Sequence, residues 1–331
     1  MKVLRLHAPE DLRLHDEPLP DSNPNETMLH VKAVGICGSD LHWFGEGSIG
    51  DARLQRPLVL GHEFAALTET GRRVAVDPAI PCDQCDYCKR GYPNLCANLK
   101  FAGHDTQDGG LREVMAWPQK CLFELPDSID EVAGAMLEPL GVAIHATDLG
   151  KLQTGMKVGV FGCGPIGLLI IQLAKLSGAA HILATDTRVH RIEAARKFGA
   201  SQLVLVEEEG GVADVQRTIK DAEVEIAFEA AGTQAAVDDA FEAVRPGGKV
   251  ILAGIPDDDR TSFSASLARR KGLTMKLVRR MKHTYPRAIE LVSKGLVDVG
   301  SLVTHRFPLS QAVEAFKVAA RREGLKVIIE L

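Results

Sequence analysis

One junction constrains this chain more than any other feature. Lys157-Val158-Gly159-Val160-Phe161 reads as a buried strand, Gly162-Cys163-Gly164-Pro165-Ile166-Gly167 follows at once, and Leu168 to Leu176 has the apolar length of a helix. Beyond the junction, strand-like and helical stretches alternate: Ile182 to Ala184, Ile192 to Phe198, Ile226 to Phe228, a helix from Ala235 to Val244 and a strand from Val250 to Ala253. Parallel strands joined through helices that cover both faces of the sheet satisfy such a pattern. The earlier part is different. Up to residue 140 it is rich in Gly, Pro, His and Cys, with short apolar runs such as Leu58-Val59-Leu60 and Val74-Ala75-Val76 between turn residues, a β-rich and loop-heavy texture. At 331 residues and 45% hydrophobic content the chain can bury two cores. The expected organisation is a β-rich domain over 1–140, an α/β doubly wound parallel-sheet domain over 141–277, and a mixed tail over 278–331 that returns to the first domain.

Glycines placed between a strand and a helix let the backbone turn sharply and approach a pyrophosphate, whose charge the helix N-terminus stabilises. Gly162, Gly164, Ile166 and Gly167 form that turn, and Asp186 ends the next strand, 24 residues past Gly162. A carboxylate there accepts hydrogen bonds from adenosine ribose hydroxyls and repels a 2′-phosphate, which favours NAD over NADP. Arg188 nearby is a cation that would welcome that phosphate. Cys163, inside the turn, and Cys121 read as small buried hydrophobes.

The other five cysteines point to metal. Cys82, Cys85, Cys88 and Cys96 read C-x2-C-x2-C-x7-C within the segment 81–97, close enough for tight turns to bring four sulfurs to one tetrahedral zinc with little loop-closure entropy. An iron–sulfur cluster is the rival, but the fourth cysteine is too distant, Ala97 stands where a proline is usual, and no second set exists. Four thiolates leave no open coordination position, so this zinc is expected to be structural. Cys37, in Gly35-Ile36-Cys37-Gly38-Ser39-Asp40-Leu41-His42, and His62, in Gly61-His62-Glu63, are a ligand pair suited to zinc; Glu63 or Glu138 can complete three protein ligands and leave a fourth position for water or substrate. That is a catalytic design, because zinc lowers the pKa of bound water from 15.7 to about 7 and a bound alcohol responds in the same direction. The residues alone leave the choice between the two carboxylates open.

These segments together resemble the zinc-containing medium-chain alcohol dehydrogenases over nearly the full length. The resemblance rests on C-G-S-D-L-H-W at 37–43, G-H-E at 61–63, the spacing of the four cysteines, L-E-P-L at 137–140 and L-V-T-H-R-F-P-L at 302–309. Glu63 beside His62, and Glu138 where other alcohol dehydrogenases carry a cysteine, look like the sorbitol (polyol) dehydrogenase branch. The resemblance implies a GroES-like catalytic domain joined to a Rossmann domain. It implies that Cys37, His62 and Glu63 bind the catalytic zinc, with Glu138 at or next to the metal, and that Ser39 and His42 relay the released proton. Arg191 is placed by the adenine, Gly254 and Ile255 at the nicotinamide, and Trp43, Phe101, Glu138, Arg279 and Arg280 around the substrate or nicotinamide. The segment between Glu63 and Val74 is shorter than the family usually has, and Met281 stands where sorbitol dehydrogenases commonly carry a tyrosine, which loosens the identity of the polyol.

The charge excludes other classes. With 39 Lys and Arg against 44 Asp and Glu, a net charge of −5 and both signs interspersed, no basic face suggests nucleic acid or an anionic membrane, and Asp83 and Asp86 sit inside the cysteine segment. No stretch approaches the roughly 20 apolar residues that span a bilayer, and Met1 to His7 turns polar too early for a signal peptide, so a cytoplasmic protein is expected. A nucleotide binder without catalysis would not need Cys37, His62 and a carboxylate together. The expected function is hydride transfer from a polyol hydroxyl to NAD, with L-threonine or a simple secondary alcohol as the alternative substrate. A homo-oligomer is expected, a tetramer before a dimer.

Overall fold

The computed structural model describes residues 1–206 and 213–331, which divide into two units: Met1–Gly141 with Lys282–Leu331, and Val142–Met281. In the first unit, short apolar strands carry Val, Thr, Phe, Leu and Ala. Among the described residues they form a seven-stranded sheet. Its order is Leu122–Glu124, Arg73–Val76, Glu63–Thr68, Glu26–Gly35, Lys326–Glu330 and Val303–Pro308, with Val114–Pro118 also pairing onto Glu26–Gly35. Only the last two strands of that order run parallel; the other pairs are antiparallel. Leu29, Val31, Val34, Phe64, Val76, Trp117, Phe316 and Ile329 fill the core behind the sheet. The chain's final strand therefore lies beside one of its first, with Ile328 opposite Gly35.

In the second unit, six parallel strands follow the order Gln202–Leu205, His181–Asp186, Lys157–Phe161, Val224–Glu229, Val244–Leu252 and Thr274–Leu277. Numbered within the unit this is 3-2-1-4-5-6, the doubly wound order, and it reverses direction between Lys157–Phe161 and Val224–Glu229. Helix Pro165–Leu176 is almost wholly buried from Gly167 to Ala174, which matches its apolar sequence. The helix expected to end at Val244 ends at Ala243: Val244 is already extended (φ −74°, ψ 130°) and opens the following strand, which closes at Leu252 and not at Ala253. A β-branched residue at a boundary takes the sheet.

Candidate active site and nucleotide site

Cys37 is the N-cap of helix Gly38–Glu46, and the third helical residue, Asp40, turns back so that its Oδ2 accepts the Cys37 N–H at 2.9 Å. The other oxygen of Asp40 accepts the Gly61 N–H at 3.2 Å and lies 3.4 Å from His62 Nδ1. One buried carboxylate, 1% exposed, thus joins the Cys37 turn to the His62 turn and leaves His62 Nε2 facing Ser39 Oγ at 3.4 Å. An imidazole held by a carboxylate at one nitrogen and open at the other is the usual arrangement of a metal-ligating histidine. Burial works against an imidazolium at His62, but the charges of Asp40 and Cys37 overcome it and raise the pKa.

Glu63 begins the strand after Gly61, whose φ of +90° supplies the irregular backbone that lets the neighbours His62 and Glu63 face one point. Glu63 is 1% exposed and lies directly over Gly35, where a Cβ would come within 2.1 Å of Oε2; any other residue at 35 would displace the carboxylate. Donor atoms of Cys37, His62 and Glu63 all lie within 4.8 Å of one another. A sulfur, an imidazole nitrogen and a carboxylate oxygen with room for one more ligand fit a zinc that keeps an open position. Glu138, at the start of helix Leu137–Gly150, stands outside that trio but close enough to feel it. Burial pushes its carboxyl up to about 8, with Glu63 adding to the rise and His62 and Lys326 opposing it. Phe101 lies against His62 at 5.2 Å between ring centroids. Trp43 is 1% exposed inside the core, its ring edge-on to His104 at 5.6 Å. His42 lies one helical turn from Ser39, its Nδ1 3.6 Å from Glu46.

Two residues of this site escaped the sequence reading. Asp40 carried a signal, since an acid three residues after a helix-capping position is a capping pattern. Lys326 carried none. Its ammonium is 3% exposed, 2.7 Å from Glu63 Oε1 and 2.5 Å from Oε2, and it also donates to the Ile36 carbonyl at 3.0 Å. Burial lowers the lysine's pKa, but Glu63, Cys37 and Glu138 together raise it above its ordinary value.

The four other cysteines also converge within 4.8 Å. Cys85 Sγ is 3.5 Å from Cys88 Sγ and 3.9 Å from Cys96 Sγ, spacings that bracket the ~3.8 Å between corners of a tetrahedron with 2.3 Å zinc–sulfur bonds. Backbone N–H groups of Gln84 and Cys85 hold the Cys82 thiol down, to about 6. Helix Asp86–Lys89 buries no residue, and Tyr87, Tyr92 and Leu95 are exposed.

In the second unit Gly162 has φ +99°, and a Cβ on it would strike the Ala231 nitrogen at 2.6 Å. Gly164 caps helix Pro165–Leu176, whose first turn takes in Ile166 and Gly167. Asp186 ends its strand 7% exposed and accepts the N–H groups of Cys163 at 2.7 Å and Arg188 at 2.9 Å. Cys163 is fully buried, its thiol donating to the Thr185 carbonyl. Arg191 Nη1 sits 3.7 Å from Asp186 and 4.0 Å from the Cβ position of Gly164, across the turn. Gly254 packs on the loop at Gly232, Ile255 is 48% exposed, and Arg279 and Arg280 follow the edge strand Thr274–Leu277, Arg280 with φ 56°. No described helix is long and apolar enough to cross a membrane.

Comparison with known proteins matches these two constructions. Residues 23–127 fit the alcohol dehydrogenase GroES-like domain, and residues 165–294 the zinc-binding dehydrogenase family. The sorbitol dehydrogenase of Bacillus subtilis (strain 168) is 34% identical over 341 residues, spanning 99% of this chain and 97% of that protein. Among solved structures, L-idonate 5-dehydrogenase from Escherichia coli superposes with a TM-score of 0.91 at 26% identity, covering 100% of this chain and 98% of that one. The 2R,3R-butanediol dehydrogenase from Bacillus subtilis does so with 0.87 at 28% identity, covering 100% and 99%. The chain is an alcohol or polyol dehydrogenase that uses zinc and a nicotinamide dinucleotide on a small-molecule substrate, and it belongs to the zinc-containing medium-chain alcohol dehydrogenase family, in the sorbitol dehydrogenase-like branch.

Proposed function

We propose that the chain oxidises a secondary hydroxyl of a polyol such as sorbitol, xylitol or iditol with NAD, giving a ketose and NADH. The observation that carries this reading is the convergence of Cys37, His62 and Glu63 on one point, with Glu138 buried nearby and its carboxyl pushed up by that burial. When bound, zinc acidifies the alcohol as a Lewis acid and NAD accepts the hydride. Cys37, His62 and Glu63 hold the catalytic zinc; Cys82, Cys85, Cys88 and Cys96 hold a structural one. Asp40 orients the His62 ring from its Nδ1 side. Glu138 offers a hydrogen bond to the substrate's hydroxyls, Phe101 walls the pocket beside His62, and Ser39 with His42 one turn later passes the released proton outward. Arg280 is assigned to the substrate and cofactor, Arg279 to the cofactor; the buried Trp43 supports the pocket from behind.

Gly162, Gly164, Ile166 and Gly167 receive the pyrophosphate, Asp186 the adenosine ribose, Arg191 the adenine side, and Gly254 and Ile255 the nicotinamide. The engagement of both Asp186 oxygens by backbone N–H groups, and an Arg191 already facing that carboxylate, support NAD over NADP. All seven cysteines are unpaired, which supports a reducing, cytoplasmic setting. A tetramer is the proposed assembly.

A panel of sorbitol, xylitol, L-idonate, 2,3-butanediol and L-threonine, followed as NADH absorbance, tests the substrate. The highest kcat/KM is expected on a polyol; a clear preference for butanediol or threonine would move the reading to the simple-alcohol alternative, which the butanediol dehydrogenase neighbour favours. Asp186→Ala is expected to narrow the preference for NAD over NADP by about tenfold or more, measured as the ratio of the two kcat/KM values; unchanged discrimination would count against its ribose role.

A further inference from the structure

Three loops meet at the carboxyl ends of the central strands in the second unit, and a buried acid bonds two of them. Glu229 closes strand Val224–Glu229 and is 1% exposed. Its Oε1 accepts the N–H of Ala231 at 2.7 Å and of Gly232 at 2.6 Å, while its backbone carbonyl accepts those of Ala253 at 2.8 Å and Gly254 at 3.1 Å. A Cβ on Gly254 would lie 2.2 Å from the Gly232 nitrogen and 2.6 Å from Glu229 Oε2; one on Gly232 would lie 2.4 Å from the Ile255 carbonyl oxygen. On the other side, the backbone at Ala231 touches the Gly162 turn. The three backbones are thus in close contact, and the Glu229 carboxylate holds the middle one, at Ala231 and Gly232.

A filler would be cheaper. Burial pushes the Glu229 carboxyl up, and the N–H groups of Gly232, Ala231 and Gly254 hold it down against that pull. Retaining an acid at such a place costs stability unless its hydrogen bonds organise something. What they organise borders a small pocket that Glu229 lines with Gly232, Thr233, Gly254 and Pro256, at the end of the sheet where doubly wound folds bind their ligands.

We propose that Glu229 is a positioning residue for the dinucleotide, fixing the loop at Ala231 and Gly232 between the Gly162 turn and the Gly254–Ile255 loop so that the nicotinamide half meets a preformed crevice. This rests on the reading that the second unit binds NAD. Asp186 marks the adenosine half of the site; Glu229 acts on the other half, through backbone alone.

NADH binding to the zinc-loaded full chain, followed by nicotinamide fluorescence, tests it with Glu229→Gln and Glu229→Ala. The Gln carbonyl still accepts both N–H groups but places an amide donor toward the Gly254 side, whereas Ala leaves both N–H groups unpaired. The dissociation constant is expected to rise several-fold in the Gln variant and about tenfold or more in the Ala variant. KM for NAD should follow the same order, with kcat at saturating NAD moving far less and zinc content unchanged. Faster amide exchange should be confined to the stretches around Ala231 and Gly254. If the Ala variant binds NADH as the parent does, or if exchange loosens there while affinity stays fixed, Glu229 only supports the fold and the proposal fails. Should the Ala variant not fold, the Gln variant decides by the same readings. A parent chain that binds no NADH would remove the nucleotide reading and this inference with it.

Discussion

Cys82, Cys85, Cys88 and Cys96 reach one point from a single short segment, whereas Cys37, His62 and Glu63 reach theirs from separate turns, held by Asp40 and by a lysine 263 residues further along the chain. Among the described residues the first cluster buries little of its own segment, chiefly Asn94 and Cys96. Its helix Asp86–Lys89 buries no residue, and its ties to the rest of the unit include the ion pair of Lys120 with Asp83, the bond of Lys120 to the Pro81 carbonyl, and Lys282 over the Tyr92 ring at 3.9 Å. The second cluster is framed by the rest of its unit. His62 and Glu63 are 6% and 1% exposed, and the surrounding sheet, the Asp40 bridge and the Gly35 gap fix their positions. A structural metal completes a fold; a catalytic one enters a frame that already exists.

The largest expected effects separate the two. Cys37→Ser should abolish turnover while leaving the melting temperature within a few degrees of the parent and about one of the two zinc ions per chain in place. Cys88→Ser should do the reverse damage: the lobe zinc is lost, and residues 81–97 become open to proteolysis, because structural zinc is worth about 10–16 kcal/mol in small peptides. Metal content by atomic emission and limited digestion read both variants. If Cys37→Ser also opened the lobe, or if Cys88→Ser left it protected, the contrast between a metal-built and a sheet-built site would be wrong.

The same contrast explains what was legible in the sequence. The cysteine cluster is written in local spacing, and the glycine turn with Asp186 lies within one strand–helix–strand stretch, so residue order alone brought those groups together. Cys37, His62 and Glu63 were found through short motifs, and Asp40 was within reach of the same reasoning through its capping position. Lys326 and Glu229 were not. Lys326 meets Glu63 because the final strand pairs with Glu26–Gly35, and nothing near Lys326 distinguishes it from a surface lysine. Glu229 ends an apolar strand like many exposed acids; only the closeness of three loops reveals that its carboxylate is enclosed. The choice between Glu63 and Glu138 stayed open for a similar reason, since it depends on where helix Leu137–Gly150 enters the site and not on either residue's neighbours.

A salt-bridged lysine stands beside each cluster, which gives the smallest but sharpest comparison. Lys120 pairs with Asp83 at the surface, the two side chains 47% and 59% exposed, and an exposed pair contributes about 0–1 kcal/mol. Lys120→Met should therefore barely move the melting curve. Lys326→Met removes the counter-ion of a carboxylate that is 1% exposed, and breaking a buried pair this way costs about 3–5 kcal/mol. That cost belongs to the metal-free protein. If Glu63 is a zinc donor, loading with zinc restores an opposite charge next to the carboxylate, and the difference in melting temperature between parent and Lys326→Met should shrink on going from chelator to saturating zinc. A deficit of the same size in both conditions would mean that Glu63 answers to the lysine alone, and the third ligand would then have to be sought at Glu138.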